Sequence, residues 1–133
     1  MADLTAMMAL ALDAKARAYA PYSRFSVGAC IRADSGALYA GCNVENAAYP
    51  QGQCAEASAI GAMVAGGDRR IVEILIVGDG EALCAPCGGC RQRLNEFAIG
   101  DMKVHMANAG GIRQTATLAE LLPLAFGPHN LTP

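Results

Sequence analysis

Residues 71–77, IVEILIV, limit the fold more than any other stretch of this sequence. All of them except Glu73 are isoleucine, leucine or valine. A strand that is apolar on both sides is stable where helices cover both faces of its sheet, as in α/β proteins. The sequence therefore predicts a central strand buried between two helical layers.

Helix and strand patterns alternate around this strand. Five apolar residues at helical spacing predict a first helix that ends before Pro21: Leu4, Met7, Met8, Ala11 and Leu12. Further helices are predicted at 54–65, at 90–98 and from the candidate N-cap Thr117 onward, and strands at 26–33, 37–43, 102–107 and near 112–115. This order predicts an α/β fold, a three-layer α/β/α sandwich with a mixed, about five-stranded central sheet, in a single domain over residues 1–133.

The composition favours an assembly of subunits and disfavours two kinds of partner. Charged residues make up 17% of the chain, against about 25% in an average domain, so apolar surface is expected between subunits. A net charge of −2 without any basic run disfavours nucleic acid. No apolar run reaches the ~20 residues of a membrane span, and Asp3, Asp13 and Lys15 interrupt any secretory signal. A cytoplasmic protein is expected.

Three of the six cysteines lie in the stretch CAPCGGC, at Cys84, Cys87 and Cys90. This spacing suits an iron–sulfur cluster, a structural zinc, a redox disulfide or the ligands of a catalytic metal. Cys54 opens one predicted helix as Cys87 and Cys90 open the next, and free N–H groups at a helix N-terminus favour thiolate. Glu56 favours the catalytic metal, because a cluster or a structural zinc would leave this carboxylate without a role.

The two motifs together match a known signature. CAE at 54–56 followed by PCGGC at 86–90 has the spacing pattern of zinc-dependent nucleobase deaminases. The cysteines and histidines outside the two motifs are expected to be core residues, satisfied structural residues or a spare thiol: Cys30, Cys42, Cys84, His105 and His129.

From about Tyr19 to its end, the chain resembles the small, homotetrameric, zinc-dependent cytidine deaminases. The resemblance is carried by PYSRFSVGA at 21–29, GCNVENAAYP at 41–50, CAEASAI at 54–60, PCGGCRQ at 86–92 and LLPLAFGP at 121–128. NVEN discriminates best, because other deaminases with the zinc signature lack this nucleoside-binding block. The resemblance implies hydrolytic deamination of cytidine and 2′-deoxycytidine to the uridine products and ammonia, in pyrimidine salvage, by a homotetramer.

The resemblance also implies a role for each matching residue. Cys54, Cys87 and Cys90 would bind one Zn²⁺ per chain, and Glu56 would be the catalytic proton shuttle. Seven residues would contact the substrate: Asn43 and Glu45 at the ribose, Phe25 against the base, the backbone of Ala55 and Pro86 at the pyrimidine edge, and Tyr49 and Phe126 from a neighbouring subunit.

One position departs from the family pattern. The family often has an arginine directly after the catalytic glutamate, where this chain has Ala57. Three thiolates leave a zinc site with a net negative charge, which weakens the pull of the ion on a bound water, so something positive must compensate. Arg91, directly after Cys90, is the predicted source of that charge.

Two other functions remain open at this point. One is a deaminase of another base or of single-stranded nucleic acid, against which the net charge and the NVEN block argue. The other is a zinc or iron–sulfur module without catalytic activity.

Overall fold

The computed structural model describes residues 4–131, and these contain four α-helices and one five-stranded sheet. The elements in chain order are α1 (Leu4–Ala16), β1 (Val27–Ala33), β2 (Leu38–Cys42), α2 (Ala55–Ala65), β3 (Ile71–Gly78), α3 (Gly88–Phe97), β4 (Lys103–Asn108), β5 (Gly111–Thr117) and α4 (Leu118–Leu121), with short 3₁₀ turns at Tyr49–Gln51 and Pro128–Asn130. The predicted α/β fold with a mixed five-stranded sheet is confirmed. The two ends of the predicted domain, residues 1–3 and 132–133, lie outside the described residues.

The sheet topology brings the starts of two helices to one place. The strand order is β2-β1-β3-β4-β5, and β1 is antiparallel to both β2 and β3. β2 and β3 therefore run in the same direction, and the chain leaves both strands at the same edge of the sheet. Because α2 follows β2 and α3 follows β3, both helix N-termini lie at that edge, where ligands bind in open α/β sheets.

Alternation along the strands divides the core into two layers. Ile74 and Ile76 of β3 pack in the cluster that contains α2, α3 and α4, whereas Leu75 and Val77 pack in the cluster that contains α1. β3 is thus covered on both faces, as its apolar sequence predicted. No helix among the described residues is long and apolar enough to cross a membrane.

Two glycines allow helices to approach the β1–β2 hairpin closely from opposite sides. A Cβ atom at Gly28 would overlap the backbone of α1 at Ala11 and Lys15, and a Cβ atom at Gly41 would overlap the backbone of α2 at Ala59. Neither helix could lie where it does against a larger residue. Gly41 therefore sets how near α2, and the residues at its N-terminus, come to the sheet.

A series of contacting polar side chains crosses the sheet on the side that α1 covers. Arg32 forms an ion pair with Glu73, the polar residue of the central strand. Nε2 of His105 lies 2.7 Å from the other carboxylate oxygen, and Nδ1 lies 2.9 Å from Thr115 Oγ1. His105 is therefore a satisfied structural histidine, as expected from the sequence.

The last helix starts as predicted and ends sooner. Thr117 Oγ1 accepts a hydrogen bond from Glu120 N–H, and the Glu120 carboxylate accepts one from Thr117 N–H at 2.8 Å, which completes a capping box. The apolar pattern of TLAELLPLAF continues beyond Leu121, but the helix stops there because Pro123 disfavours helical backbone before it and lacks an N–H.

Candidate active site

The candidate site lies at the shared edge where α2 and α3 begin. Cys54 is the N-cap residue of α2, and Cys87 is the N-cap residue of α3. Cys90 follows in the first turn of α3, which starts two residues earlier than the sequence indicated. The sheet topology therefore brings Cys54 close to Cys87 and Cys90, as predicted, although Cys54 and Cys87 are 33 positions apart in the sequence.

The three sulfur atoms fit a metal ion. Sγ of Cys54 and Sγ of Cys87 lie 3.9 Å apart, and all three sulfurs lie within 4.8 Å of one another. A Zn–S bond length of about 2.3 Å in tetrahedral geometry requires sulfurs about 3.8 Å apart. All six cysteines are free thiols. The donor set thus matches a zinc ion with three protein ligands and one open position.

Without a cation, the negative charges near the three thiols oppose their ionisation. Burial, followed by the negative charge of nearby groups including Glu56, raises the pKa values of Cys54 and Cys90 above the usual range for a thiol. Burial also acts on Cys87, but hydrogen bonds from the Cys90 N–H and from the neighbouring thiols outweigh it and lower the pKa of Cys87. A divalent cation removes the conflict, because thiolates are the form that binds metal.

Glu56 is the carboxylate of the site. It lies in the first turn of α2 and is only 4% exposed. Burial raises the pKa of this carboxyl, and the nearby Arg93 partly opposes the rise. A buried carboxyl with a raised pKa can both accept and release a proton near neutral pH.

A cavity of about 180 Å³ opens beside Glu56 and the sulfurs. Its walls come from the segment before β1, from the end of β2, from the start of α2 and from the loop before α3: Phe25, Val27, Asn43, Cys54, Ala55, Glu56, Cys84, Ala85 and Cys87. Cys84 therefore lies at the cavity but outside the three-sulfur cluster. Three of the predicted substrate residues, Phe25, Asn43 and Ala55, share this cavity with the carboxylate.

Asn43 holds the wall of the cavity in place. Its Oδ1 accepts a hydrogen bond from the Val27 N–H at 2.9 Å, and its Nδ2 donates one to the Phe25 carbonyl at 2.8 Å. The amide therefore orients the segment that carries Phe25, in addition to facing the cavity.

Glu45 and Tyr49 line a second cavity of about 330 Å³. The Glu45 carboxylate accepts hydrogen bonds from the N–H groups of Tyr22 and Ser23 and from the Ser23 hydroxyl. These bonds lower the pKa of Glu45 against the opposing effect of burial. The ring of Tyr49 packs 5.9 Å from that of Tyr22 and is 74% exposed.

The remaining predicted residues divide between the site and another cavity. Pro86 is buried directly before Cys87. Phe126 is 56% exposed and lines a third cavity of about 680 Å³ with Gln92 and Glu96. Within one chain, Phe126 is therefore not among the residues around Glu56.

Arg91, the predicted source of positive charge, contacts two backbone carbonyls, whereas Arg93 contacts a sulfur. The Arg91 side chain donates to the carbonyls of Pro86 and Leu121 at 2.8 and 2.9 Å. Nη1 of Arg93 instead lies 3.7 Å from Cys90 Sγ. Adjacency to Cys90 favoured Arg91, but on a helix the residue three positions later shares the face. The i, i+3 spacing of Cys90 and Arg93 was the sequence signal that could have identified it.

Comparison with known proteins matches this geometry. The family model described as "Cytidine and deoxycytidylate deaminase zinc-binding region" matches residues 1–106. The cytidine deaminase of Sporosarcina psychrophila is 41% identical over 130 residues, covering 98% of this chain and 96% of that protein. The cytidine deaminase of Mycobacterium tuberculosis H37Rv is 37% identical over 121 residues, covering 91% of this chain and 87% of that protein.

Solved structures give the same result. The crystal structure of cytidine deaminase from Burkholderia pseudomallei has a TM-score of 0.86 at 39% identity and covers 95% of this chain and all of that one. The crystal structure from Mycobacterium tuberculosis has a TM-score of 0.82 at 36% identity, covering 96% of this chain and 99% of that one. With three convergent thiols and a buried carboxylate at the matching site, the chain belongs to the zinc-binding cytidine and deoxycytidylate deaminase family.

Proposed function

We propose that this chain catalyses the hydrolytic deamination of cytidine and 2′-deoxycytidine to uridine and 2′-deoxyuridine with release of ammonia. The observation that carries the proposal is Glu56, a buried carboxylate in the same cavity as two of three convergent thiols. Membership of the deaminase family and relatives named cytidine deaminase support this choice of reaction.

The metal ligands in this proposal are Cys54, Cys87 and Cys90. A zinc ion bound there supplies a Lewis acid that lowers the pKa of a water molecule toward 7. The N–H groups at the two helix N-termini and the guanidinium of Arg93 support the thiolate forms.

Glu56 moves the protons of the reaction. Its carboxylate accepts a proton from the attacking water and passes it to N3 of the base, so that the oxygen can add to C4. The Glu56 carboxylate then takes the second proton from the oxygen now bonded to C4 and delivers it to the amine, which leaves as ammonia while C4 becomes a carbonyl. The raised pKa of Glu56, caused chiefly by burial, suits a group that must accept and donate in one cycle.

The walls of the cavity orient the nucleoside. Phe25 packs against the base, and the backbone of Ala55 and Pro86 contacts the pyrimidine edge. Asn43 and Glu45 hold the ribose, and their hydrogen bonds to residues 22–27 fix the loop on which they act. These contacts place C4 toward the sulfurs and leave the sugar at the mouth of the cavity.

Tyr49 and Phe126 act on the site of a neighbouring subunit in a homotetramer. Both rings are largely exposed in the single chain, and each lines a cavity other than the one at Glu56. The free thiols suit a reducing compartment, so we place this tetramer in the cytoplasm and in pyrimidine salvage.

A cytidine assay with metal analysis tests the reaction. The purified chain should convert cytidine to uridine, hold one zinc per chain and lose activity to a chelator. Glu56→Gln should lower kcat by about 10² to 10⁴-fold, as expected for loss of a general acid–base, with the zinc content unchanged. Glu81→Gln, at an exposed position in the loop before α3, is the matched control. Near-normal kcat in Glu56→Gln, or iron in place of zinc, would refute the proposal.

A further inference from the structure

We propose that Arg93 balances the negative charge of the metal thiolates and thereby keeps the bound ion a strong Lewis acid. Ala57, at the position where the family often has an arginine, has only a methyl group and cannot supply this charge. This inference rests on the proposed function for its kinetic consequence. It names Arg93 as a positioning and charge-balancing residue that acts through Cys90.

The guanidinium of Arg93 is directed at the sulfur. Nη1 lies 3.7 Å from Cys90 Sγ, within hydrogen-bond range for sulfur, and the two residues are one helical turn apart on α3. No carboxylate within residues 4–131 forms an ion pair with Arg93. Its charge therefore acts on the thiolate cluster and, without a direct ion pair, on the nearby Glu56.

Gly89 makes room for this contact. A Cβ atom at position 89 would lie 3.3 Å from Nη1 of Arg93, closer than most Cβ contacts. The guanidinium thus folds back along α3 over a residue that has no side chain. A Cβ atom at the second glycine of PCGGC would push the guanidinium by a few tenths of an ångström.

Neither of the two alternative positions places a guanidinium against a sulfur atom. Arg91 uses Nε on the Pro86 carbonyl and Nη1 on the Leu121 carbonyl, so its side chain joins the loop before α3 to α4. Ala57 lies three residues after Cys54, which is the same spacing as that between Cys90 and Arg93. Because Cys54 is the N-cap residue of α2 and Ala57 lies in the first turn, an arginine at 57 would start within one helical turn of a ligating sulfur.

A cation at a ligating sulfur has a defined electronic effect. A hydrogen bond from guanidinium stabilises the lone pairs of the thiolate and reduces the electron density that the thiolate donates to the metal. The ion then keeps more of its positive charge, which counteracts the excess of three thiolates over one divalent cation. Removal of Arg93 should weaken the Lewis acid without removing the metal.

Cobalt(II) substituted for zinc gives a readout that does not depend on turnover. Its sulfur-to-metal charge-transfer band moves to longer wavelength when the thiolates become more electron-rich. Arg93→Gln should shift this band to longer wavelength, Arg93→Lys should shift it less, and Ala57→Arg in the Arg93→Gln background should move it back. In the zinc enzyme, Arg93→Gln should lower kcat for cytidine by about tenfold, the lower end of the effect of losing a partner of a metal ligand, with KM nearly unchanged.

Two further variants separate charge balance from folding. Gly89→Ala keeps the arginine but crowds its guanidinium, so the band should shift in the same direction, while the unfolding temperature should not fall because alanine is the better helix former. Arg113→Gln, an exposed change on β5, should leave the band and kcat unchanged.

The outcomes distinguish this inference from the proposed function. An unshifted band and unchanged kcat in Arg93→Gln would overturn the inference and leave the deaminase intact. A shifted band in a chain that does not deaminate cytidine would support the contact and overturn the proposed function. A wild-type chain that takes up neither cobalt nor zinc would overturn both.

Discussion

Asn43 serves the fold and the cavity with one amide group. Its two hydrogen bonds fix the backbone of Phe25 and Val27, and the residue also faces the cavity beside Glu56. A hydrogen bond of this kind contributes about 1 kcal/mol, so we predict that Asn43→Ala lowers the free energy of unfolding by about 2 kcal/mol. KM for cytidine should rise in the same variant. Urea denaturation and steady-state kinetics measure the two effects, and unchanged stability would contradict the structural half.

His105 should make stability depend on pH. Burial, followed by the charges of Lys103 and Arg32, lowers its pKa below the usual value of 6.5. A histidine whose pKa is lower in the folded state binds more protons in the unfolded state, so stability is lost as the pH falls below about 6.5.

The variant His105→Gln tests this pH dependence. Glutamine keeps a neutral donor toward Glu73, so the free energy of unfolding should change less between about pH 5 and pH 7 than in the wild type. Urea titrations across that range measure the difference. Parallel curves for the two proteins would show that His105 is not the group responsible.

The sequence was sufficient to predict which cysteines come together, because their spacing follows a recurring metal-binding pattern. Cys54, Cys87 and Cys90 were recognised because ligands at helix N-termini recur at fixed positions, and these three sulfurs do meet. The contact of Arg93 was missed because it depends on which residues share one face of α3. Side-chain reach of this kind is a property of the folded helix, and sequence adjacency does not show it.

At the level of elements, the approach of α2 to β2 controls the position of two site residues. A Cβ atom at Gly41 would overlap the backbone of α2, which carries Glu56 and starts at Cys54. Overpacking typically costs about 1–3 kcal/mol. We predict that Gly41→Ala lowers the free energy of unfolding by about 2 kcal/mol or more. The same change should weaken zinc retention, because a shift of α2 displaces the sulfur of Cys54.

A matched glycine variant provides the control for Gly41. Gly61→Ala, on α2 where a Cβ atom meets open space, should retain both zinc and stability. Chelator competition and thermal unfolding measure both variants. Equal behaviour of Gly41→Ala and Gly61→Ala would refute the close approach.

Element boundaries were predictable where a terminating residue is present and less so elsewhere. The helix after Thr117 starts where capping chemistry indicated, and α2 ends before Gly66. β5 is longer than the predicted stretch near 112–115, because pairing with β4 extends residues that have weak strand preference of their own. Tertiary pairing of this kind is not encoded locally.

For the molecule as a whole, the proposed sharing of sites between subunits can be tested by complementation. A Phe126→Ala chain keeps its own Glu56, so its active site should regain activity when a neighbouring chain supplies Phe126. We predict that co-expressed Glu56→Gln and Phe126→Ala chains form mixed tetramers with more activity than the average of the two parents. Activity equal to that average would refute the sharing, and light scattering should give four times 13.7 kDa.

The placement of the ligands makes the metal a reversible crosslink. Cys54 and Cys87 are 33 positions apart, and closing a loop of that length stabilises a fold by about 4 kcal/mol in the chain-entropy model. A chelator should therefore lower the unfolding temperature and open the exposed loop before Cys87 to proteolytic cleavage, which mass spectrometry of the fragments would show. Zinc should protect a Glu56→Gln chain from this cleavage to the same extent as it protects the wild type. In a cell, the supply of zinc would then govern the lifetime of the polypeptide as well as its activity.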